Sequence, residues 1–245
     1  MRVLDRLRSR GQLTQVSRVT PQIAELRNAL LSQSDLFRGL AQEEMQRIGD
    51  RLPMATARRG QLIYAPGETP EALFLLKAGR VRVYRLAEDG RKLVLGTFGP
   101  GTAFGEMSFL GQSMTGSFAE AVDDCTVCVM SRLDVEALIQ EHPAVAVRLV
   151  ELVSQRLREA EDKLEQIAFR SVPARLGRLL LSLGSRDDLV DGYSHQELAD
   201  MIGTSRETVS RALVELKNAG IVDIERRRVR ILDRGALAAF IEAQE

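Results

Sequence analysis

The sequence is poor in the residues that build metal centres, with two cysteines and two histidines among 245 residues. An iron–sulfur cluster needs about four thiolates, so Cys125 and Cys128 alone exclude one. Haem commonly takes an axial histidine, and His142 and His195 lie outside the stretch with strand-like patterning. No nucleophile–base set, metal-ligand cluster or phosphate-binding loop is present. The sequence therefore predicts a protein that is not an enzyme and holds no metal.

The sequence also lacks net charge and long apolar runs. Its 34 Lys and Arg balance 34 Asp and Glu, so any affinity for nucleic acid must come from a local patch. No apolar run approaches the ~18 residues that span a bilayer, which predicts no membrane partner. Few cysteines and the absence of a signal-peptide core indicate a cytoplasmic protein.

The first part of the chain changes character near residue 34. Residues 1–33 begin with five arginines against one acid in the first 20 positions, which predicts a basic extension outside the folded core. Residues 34–142 form the next predicted domain. Between Pro53 and Met130, short apolar runs alternate with glycine-bearing turns such as "EDG". This spacing predicts an antiparallel sandwich or barrel.

The pair "CTVC", Cys125 and Cys128, admits two interpretations. It could be a redox pair, since closely spaced thiols form reversible disulfides. On a strand, however, residues three apart point to opposite faces, and cysteine often fills small buried volumes. Buried structural cysteine is the interpretation that the pattern favours.

A long helix is predicted over residues 143–169. Its apolar positions recur at alternating spacings of four and three, a period that predicts a seam against a second helix. Arg156 and Glu161 would flank that seam and could pair across a parallel dimer; the alternative is a helix packed on its own domain. The seven seam residues are Ala146, Val150, Val153, Leu157, Ala160, Leu164 and Ile167.

Residues 170–245 are predicted to end in a helix-turn-helix. "SHQE" at 194–197 has the pattern of a capping box, and Gly203 suits a tight turn before Ser205, which can cap a second helix over 205–219. "IVDIERRRVRILD" then alternates as a two-stranded wing. Two short helices, a glycine turn and a basic wing together favour DNA recognition over an ordinary solvated surface.

The second helix carries side chains that suit base edges in a major groove. Arginine can bond bidentately to guanine, and glutamate can accept from cytosine. Residues 205–234 hold eight Lys or Arg and five Asp or Glu, and the wing arginines would reach phosphates. The predicted DNA contacts are Ser194, His195, Gln196, Thr204, Ser205, Arg206, Glu207, Thr208, Ser210, Arg211, Arg226, Arg227 and Arg228.

Several motifs stand in one order over residues 34–235: "FRGL", "GE", "HPAVA", "AFRSVPARLGRLLLSL" and "SRETVSR". On these motifs the chain resembles the bacterial transcription regulators that include the cyclic-AMP receptor protein and the fumarate-nitrate regulator, the Crp/Fnr family. The resemblance implies an α+β fold: an N-terminal β-roll (a double-stranded β-helix or jelly-roll), a long dimerisation helix and a C-terminal winged helix-turn-helix. It also implies a homodimer that binds double-stranded DNA at palindromic TGTGA-like sites, with RNA polymerase as a partner. The sequence does not distinguish an activator from a repressor.

The resemblance places the effector pocket in "GPGTAFGEMSFLGQSMTGSFAEA", residues 99–121. The family's cyclic-nucleotide members use a glutamate at the position of Glu106 and supply an arginine ten residues later, where Gly116 stands here. Burying a phosphate without a cation is costly, which argues against cyclic AMP as cofactor, although Arg82, Arg85 or Arg91 could replace the cation. Ligand-independent DNA binding, a redox response and a helix-turn-helix that contacts protein remain open alternatives. The predicted pocket residues are Phe104, Gly105, Glu106, Met107, Gly116 and Ser117.

Overall fold

The computed structural model describes residues 14–15, 34–67, 72–106, 116–184 and 187–244. By its internal contacts the chain divides into two compact units. The first holds the described residues up to Arg85 together with Leu95–Leu157, and the second holds Leu86–Val94 and the described residues from Arg158 onward. Each unit has its own hydrophobic core.

Two antiparallel sheets account for most of the first unit, as its alternating runs and glycine turns predict. In one sheet the strand order is β1 (Thr14–Gln15), β2 (Met54–Ala57), β9 (Cys125–Ser131), β4 (Ala72–Ala78) and β7 (Ala103–Glu106). In the other the order is β3 (Leu62–Tyr64), β8 (Ser117–Ala121), β5 (Val81–Leu86) and β6 (Lys92–Phe98). The predicted β-roll is confirmed.

The core between the two sheets is filled by stacked aromatic rings. The Phe74 ring lies 5.3 Å from that of Phe104 and 5.9 Å from that of Tyr64, measured between centroids. Phe98 adds a fourth ring, 6.2 Å from Phe104. Tyr64, Phe74 and Phe104 are almost fully buried. Aromatic burial of this kind is a large part of a small domain's hydrophobic stabilisation.

Two residues of the predicted basic extension, Thr14 and Gln15, belong to a sheet and do not lie outside the fold. They form β1 and pair with Thr56 and Ala55 of β2, at the edge of the first sheet. The sequence gives little sign of this strand because edge pairing uses main-chain N–H and C=O groups and needs no apolar pattern. The rest of the predicted extension lies outside the described residues.

Cys125 and Cys128 are both buried on β9, and both are thiols. Cys125 packs in the core between the two sheets, and Cys128 packs on the other face of its sheet. Burial raises the pKa of the Cys125 thiol. The predicted separation onto opposite faces is confirmed, and it rules out a bond between these two sulfurs in this fold.

Helices cover the outer face of the first sheet. A short 3₁₀ turn (Asp35–Phe37) and α1 (Gln42–Arg51) lie between β1 and β2 in the chain, and α2 (Arg132–Glu141) and α3 (Pro143–Phe169) follow β9. Ser131 caps α2, since its hydroxyl accepts from the N–H of Asp134, as predicted. Val145 and Leu149 of α3 are buried in the core of the first unit, so the division between the units falls within this helix.

The second unit contains α4 (Val172–Leu183), α5 (His195–Ile202), α6 (Arg206–Asn218) and α7 (Arg234–Ala243). Its sheet has the order β10 (Leu189–Asp191), β12 (Arg228–Ile231) and β11 (Val222–Glu225). The sequence predicts the hairpin of β11 and β12 but not β10, because Leu189 and Val190 are too short an apolar run to stand out. Within the described ranges, no helix is long and apolar enough to span a membrane.

Candidate functional site

The turn between α5 and α6 is fixed by caps. The Ser194 hydroxyl accepts from the N–H of Glu197 at 3.2 Å, and the Glu197 carboxylate accepts from the Ser194 N–H at 2.9 Å. Gly203 ends α5 in the left-handed region at φ 68°, which favours glycine. Ser205 caps α6 by accepting from the N–H of Thr208 at 3.2 Å. The predicted helix-turn-helix is thereby confirmed.

One face of α6 is buried and the other carries charge. Val209, Ala212, Leu213 and Leu216 pack into the core of the second unit. The opposite face exposes three charged side chains within the first two turns, all of them predicted contacts: Arg206, Glu207 and Arg211. This helix therefore presents two guanidinium groups and a carboxylate to solvent on one short surface.

Glu207 is held in its charged form. Its pKa is lowered by its own backbone N–H, by the Ser205 hydroxyl and by the charge of Arg206. A carboxylate can only accept hydrogen bonds, so this side chain is suited to an exocyclic amino group such as that of cytosine.

Other predicted contacts are engaged within the protein. The Ser205 and Thr208 hydroxyls bond to each other at 2.9 Å. The Gln196 amide donates to Asp200 at 2.7 Å. Since Ser194 and Ser205 also serve as caps, these hydroxyls primarily shape the turn. Thr204 lies half-buried in the turn itself.

His195 joins the two helices. Its Nδ1 lies 2.8 Å from the Ser210 hydroxyl on α6. Burial and the nearby charge of Arg206 lower the pKa of His195, which favours the neutral imidazole. The hydrogen bond fixes the first turn of α5 against the middle of the exposed helix.

The three wing arginines differ in their surroundings. Arg228 pairs with Asp191 at 3.2 Å. Arg227 pairs with Glu197 at 3.0 Å and also donates to the Gly192 carbonyl. Arg226 is exposed, and no partner for it occurs among the residues that the structure describes. The sequence does not mark these two acids as partners of the wing, because Asp191 lies on the unpredicted strand β10 and Glu197 is recognisable only as part of a capping box.

The predicted effector pocket is described in part. Gly105 has φ +133°, and a Cβ there would lie 2.2 Å from the Ala72 carbonyl oxygen, so only glycine fits. Phe104 belongs to the buried aromatic stack, and Ser117 is also buried. Glu106 is the last residue of β7, and Gly116 is exposed. Met107 lies outside the described residues.

The register of β5 against β8 separates the three candidate cations. Arg85 is paired with Ser117, so it is on the same side of the strand as Val81 and Val83, because direct cross-strand partners share a face. Unlike those two valines, Arg85 lies near the end of the strand and is exposed. Arg82 is paired with Glu120 on the other face. Arg91 lies in the hairpin turn and binds Asp89 at 2.7 Å.

The apolar seam of α3 is largely exposed in the single chain. Val150 is 65% exposed, Leu157 59% and Leu164 67%. Ile167 and Ala160 are also exposed, whereas Ala146 and Val153 are half-buried. These residues lie on a different face from Val145 and Leu149, so the helix has two apolar faces and its own unit covers one of them.

Arg156 does not extend along that seam. Its guanidinium lies 5.2 Å from the centroid of the Phe98 ring and donates to the Ala103 carbonyl. A cation over an aromatic face is an attractive contact. The predicted pairing of Arg156 with Glu161 of a second copy therefore competes with these contacts within one unit.

Two family models match the chain. The model described as the cyclic nucleotide-binding domain matches residues 55–142, and the model described as the Crp-like helix-turn-helix domain matches residues 174–240. The first match covers most of the two sheets and α2. The second covers the capped turn, the charged helix and the wing.

Known proteins share this organisation. The chain is 38% identical over 191 residues to the cyclic AMP receptor protein of Thermus thermophilus, a match covering 77% of this chain and 88% of that protein. It is 28% identical over 217 residues to a CRP-like cAMP-activated global transcriptional regulator of Mycobacterium tuberculosis, covering 85% and 97%. A solved structure from Eubacterium rectale, assigned to the Crp/Fnr family, has a TM-score of 0.72 at 23% identity and covers 86% of this chain and 99% of that one. At that identity the structural likeness bears on the fold alone.

Proposed function

Because the chain belongs to the Crp/Fnr family of transcription regulators, we propose that it acts as a homodimer on palindromic TGTGA-like DNA sites. One observation carries this proposal. Arg206, Glu207 and Arg211 stand exposed on α6, while the opposite face of that helix is buried in the unit's core. The buried face fixes which side chains α6 offers to a groove.

The chemistry of these side chains supports the proposed half-site. Each arginine can donate two hydrogen bonds to guanine O6 and N7, and Glu207 can accept from cytosine N4. TGTGA and its complement supply both bases. Each good contact discriminates against a wrong base by roughly 1–3 kcal/mol.

The seam of α3 supports the homodimer. A parallel pair of such helices would cover Val150, Leu157 and Leu164, which the single chain leaves exposed. A two-fold dimer places its half-sites about one helical turn, ~34–36 Å, apart. Palindromy of the DNA site then follows from symmetry of the protein, with RNA polymerase as the expected further partner.

We further propose that DNA binding does not require cyclic AMP. Gly116 offers no side-chain cation, and a buried cyclic phosphate needs one. An anion-responsive regulator is the second candidate, and Arg85 is the observation that favours it. Of the three candidate cations, only Arg85 pairs directly with Ser117, on the side of β5 that also carries Val81 and Val83. Arg85 is exposed near the end of that strand.

The test is selection of bound duplexes from a random DNA pool, with and without ~0.2 mM cyclic AMP, at a fixed salt concentration because affinity depends on salt. We expect one two-fold TGTGA-like motif in both conditions. A motif that appears only with cyclic AMP contradicts ligand independence, and Arg85→Ala then shows whether Arg85 supplies the cation. No enriched motif in either condition contradicts the proposed DNA site and favours a helix-turn-helix that contacts protein.

A further inference from the structure

The wing turn holds one arginine in an unusual backbone conformation. Arg227 has φ +57°, in the left-handed region where residues other than glycine and asparagine are uncommon. Its own carbonyl accepts from the Gly192 N–H at 2.9 Å, and its guanidinium donates back to the Gly192 carbonyl. The residue is therefore bound to the loop after β10 through both its main chain and its side chain.

The same guanidinium reaches the cap of α5. Glu197 Oε2 accepts from Arg227 at 3.0 Å, from the Ser194 hydroxyl at 2.8 Å and from the Ser194 N–H at 2.9 Å. One carboxylate oxygen thus closes the capping box and holds the wing. Only a quarter or so of the Glu197 side chain is exposed (27%), so water competes weakly for it.

The residue next to the cap in the chain is hydrogen-bonded to α6. His195, the residue after Ser194, binds Ser210 of α6 at 2.8 Å. The wing turn, the first turn of α5 and the middle of α6 are therefore connected through polar contacts. A displacement of the wing would therefore disturb the cap at the start of α5, and with it the hydrogen bond between His195 and Ser210.

We propose that Arg227 is a positioning residue of the DNA-binding surface, which fixes the wing to the cap of α5, and that Arg226 is the wing's phosphate contact. This inference rests on the proposed DNA function. For Arg227 to bind a phosphate it would have to release Glu197 and the Gly192 carbonyl. Arg226, one residue earlier in the same turn, has no such bonds to break.

The salt dependence of DNA binding distinguishes the two roles. Each protein cation that neutralises a phosphate contributes about 0.9 to the slope of log affinity against log salt. Loss of a phosphate contact therefore reduces the slope and weakens all sequences alike. Loss of a positioning residue leaves the slope unchanged and weakens binding to the specific site more than to other DNA.

The experiment compares Arg227→Gln with the matched control Arg226→Gln. Affinity is measured for the selected site and for a scrambled duplex at four or more salt concentrations. We expect Arg226→Gln to reduce the slope by about 0.9 on both duplexes. We expect Arg227→Gln to keep the wild-type slope and to lose about fivefold in preference for the specific site, the scale of coupling between contacting residues.

Glu197→Gln completes a double-mutant cycle. Glutamine can still close a capping box with Ser194, but it loses the charge that holds Arg227. We expect the double variant to lose no more specificity than either single variant, since all three break one connection. Arg227→Gly removes the same side chain, and glycine also suits the positive φ at this position. This variant should show the same loss of specificity, and it replaces Arg227→Gln in the experiment if that variant folds poorly.

Two outcomes overturn the inference. A slope reduced by about one in Arg227→Gln or Arg227→Gly, together with tighter binding by Glu197→Gln, would make Arg227 a phosphate contact and Glu197 its competitor. Additive losses in the double variant would show that the two side chains act separately. A wild-type protein without sequence preference is a different result, since it contradicts the proposed function itself.

Discussion

The two units of this protein use side chains in opposite ways. The second unit exposes its charged groups on α6, whose inner face is closely packed. The first unit fills the space between its sheets with the stacked rings of Tyr64, Phe74 and Phe104, and Gly116 of its predicted effector pocket has no side chain to bind an anion. In the second unit, the packed face of one helix determines which charged side chains face solvent, whereas in the first unit aromatic side chains occupy the space between the sheets and stabilise the fold.

The largest effect should come from the aromatic stack. Phe104→Ala removes the ring that contacts Tyr64, Phe74 and Phe98, and it should cost about 3–5 kcal/mol of the first unit's unfolding free energy. Urea unfolding measures the loss, with Leu133→Ala on the exposed surface as control. If the core between the sheets were loosely filled, Phe104→Ala would cost no more than the control.

The next effect tests the exposed charges of α6. Arg206→Ala should weaken binding to the selected DNA site by roughly 1–3 kcal/mol and relax one base position, because a bidentate contact to guanine is lost. Competition binding against duplexes substituted at each position measures both changes. Arg226→Ala is the control, which should weaken all sequences equally. Equal relaxation by both variants would contradict the division between base and phosphate contacts.

The seam of α3 gives the third prediction. Leu157→Asp places a charge in the middle of the proposed dimer contact and should raise the dimer dissociation constant by about 30-fold or more, or ~2 kcal/mol. Sedimentation equilibrium measures the change. Arg158→Asp, at the neighbouring exposed position, is the control, and it should raise the dimer dissociation constant far less. Equal behaviour of the two variants would mean that the second copy binds elsewhere.

The smallest effect concerns pH and His195. Burial lowers the pKa of this imidazole in the folded chain, so the unfolded chain binds more protons as pH falls through its ordinary value of about 6.5. The second unit should therefore lose stability below that pH, and His195→Gln should flatten the dependence. Melting temperatures between pH 7.5 and 5 test this, and an unchanged slope in the variant would contradict it. Asp191, whose pKa is lowered by Arg228, also contributes to the stability of the second unit. That contribution is lost only at a pH below the range in which His195 titrates.

The sequence predicts the second unit well because its signals are local. Ser194 and Glu197 are three residues apart, and Gly203 sets its own backbone, so caps and turns can be identified without knowing the fold. The pairing of β10 with β12 and the ion pair between Arg227 and Glu197 join residues about 30 to 40 positions apart. Such contacts depend on topology, so the sequence alone does not distinguish the three wing arginines.

The effector pocket illustrates the same limit in the first unit. The motif "GE" marks Gly105, whose positive φ and closeness to Ala72 require glycine. The choice among Arg82, Arg85 and Arg91 depends on the register of β5 against β8. A shift of one residue would reverse which arginine faces inward, and the sequence does not determine that register.

The two buried thiols of β9 allow local opening of the first sheet to be measured separately on each of its faces. Cys125 and Cys128 lie on one strand yet belong to different cores. A thiol reagent added in pulses would label Cys125 only when the core between the sheets opens, and Cys128 only when the helices separate from the first sheet. Mass spectrometry of the two cysteine-containing peptides would then give a separate opening rate for each side of a single sheet, without an introduced probe.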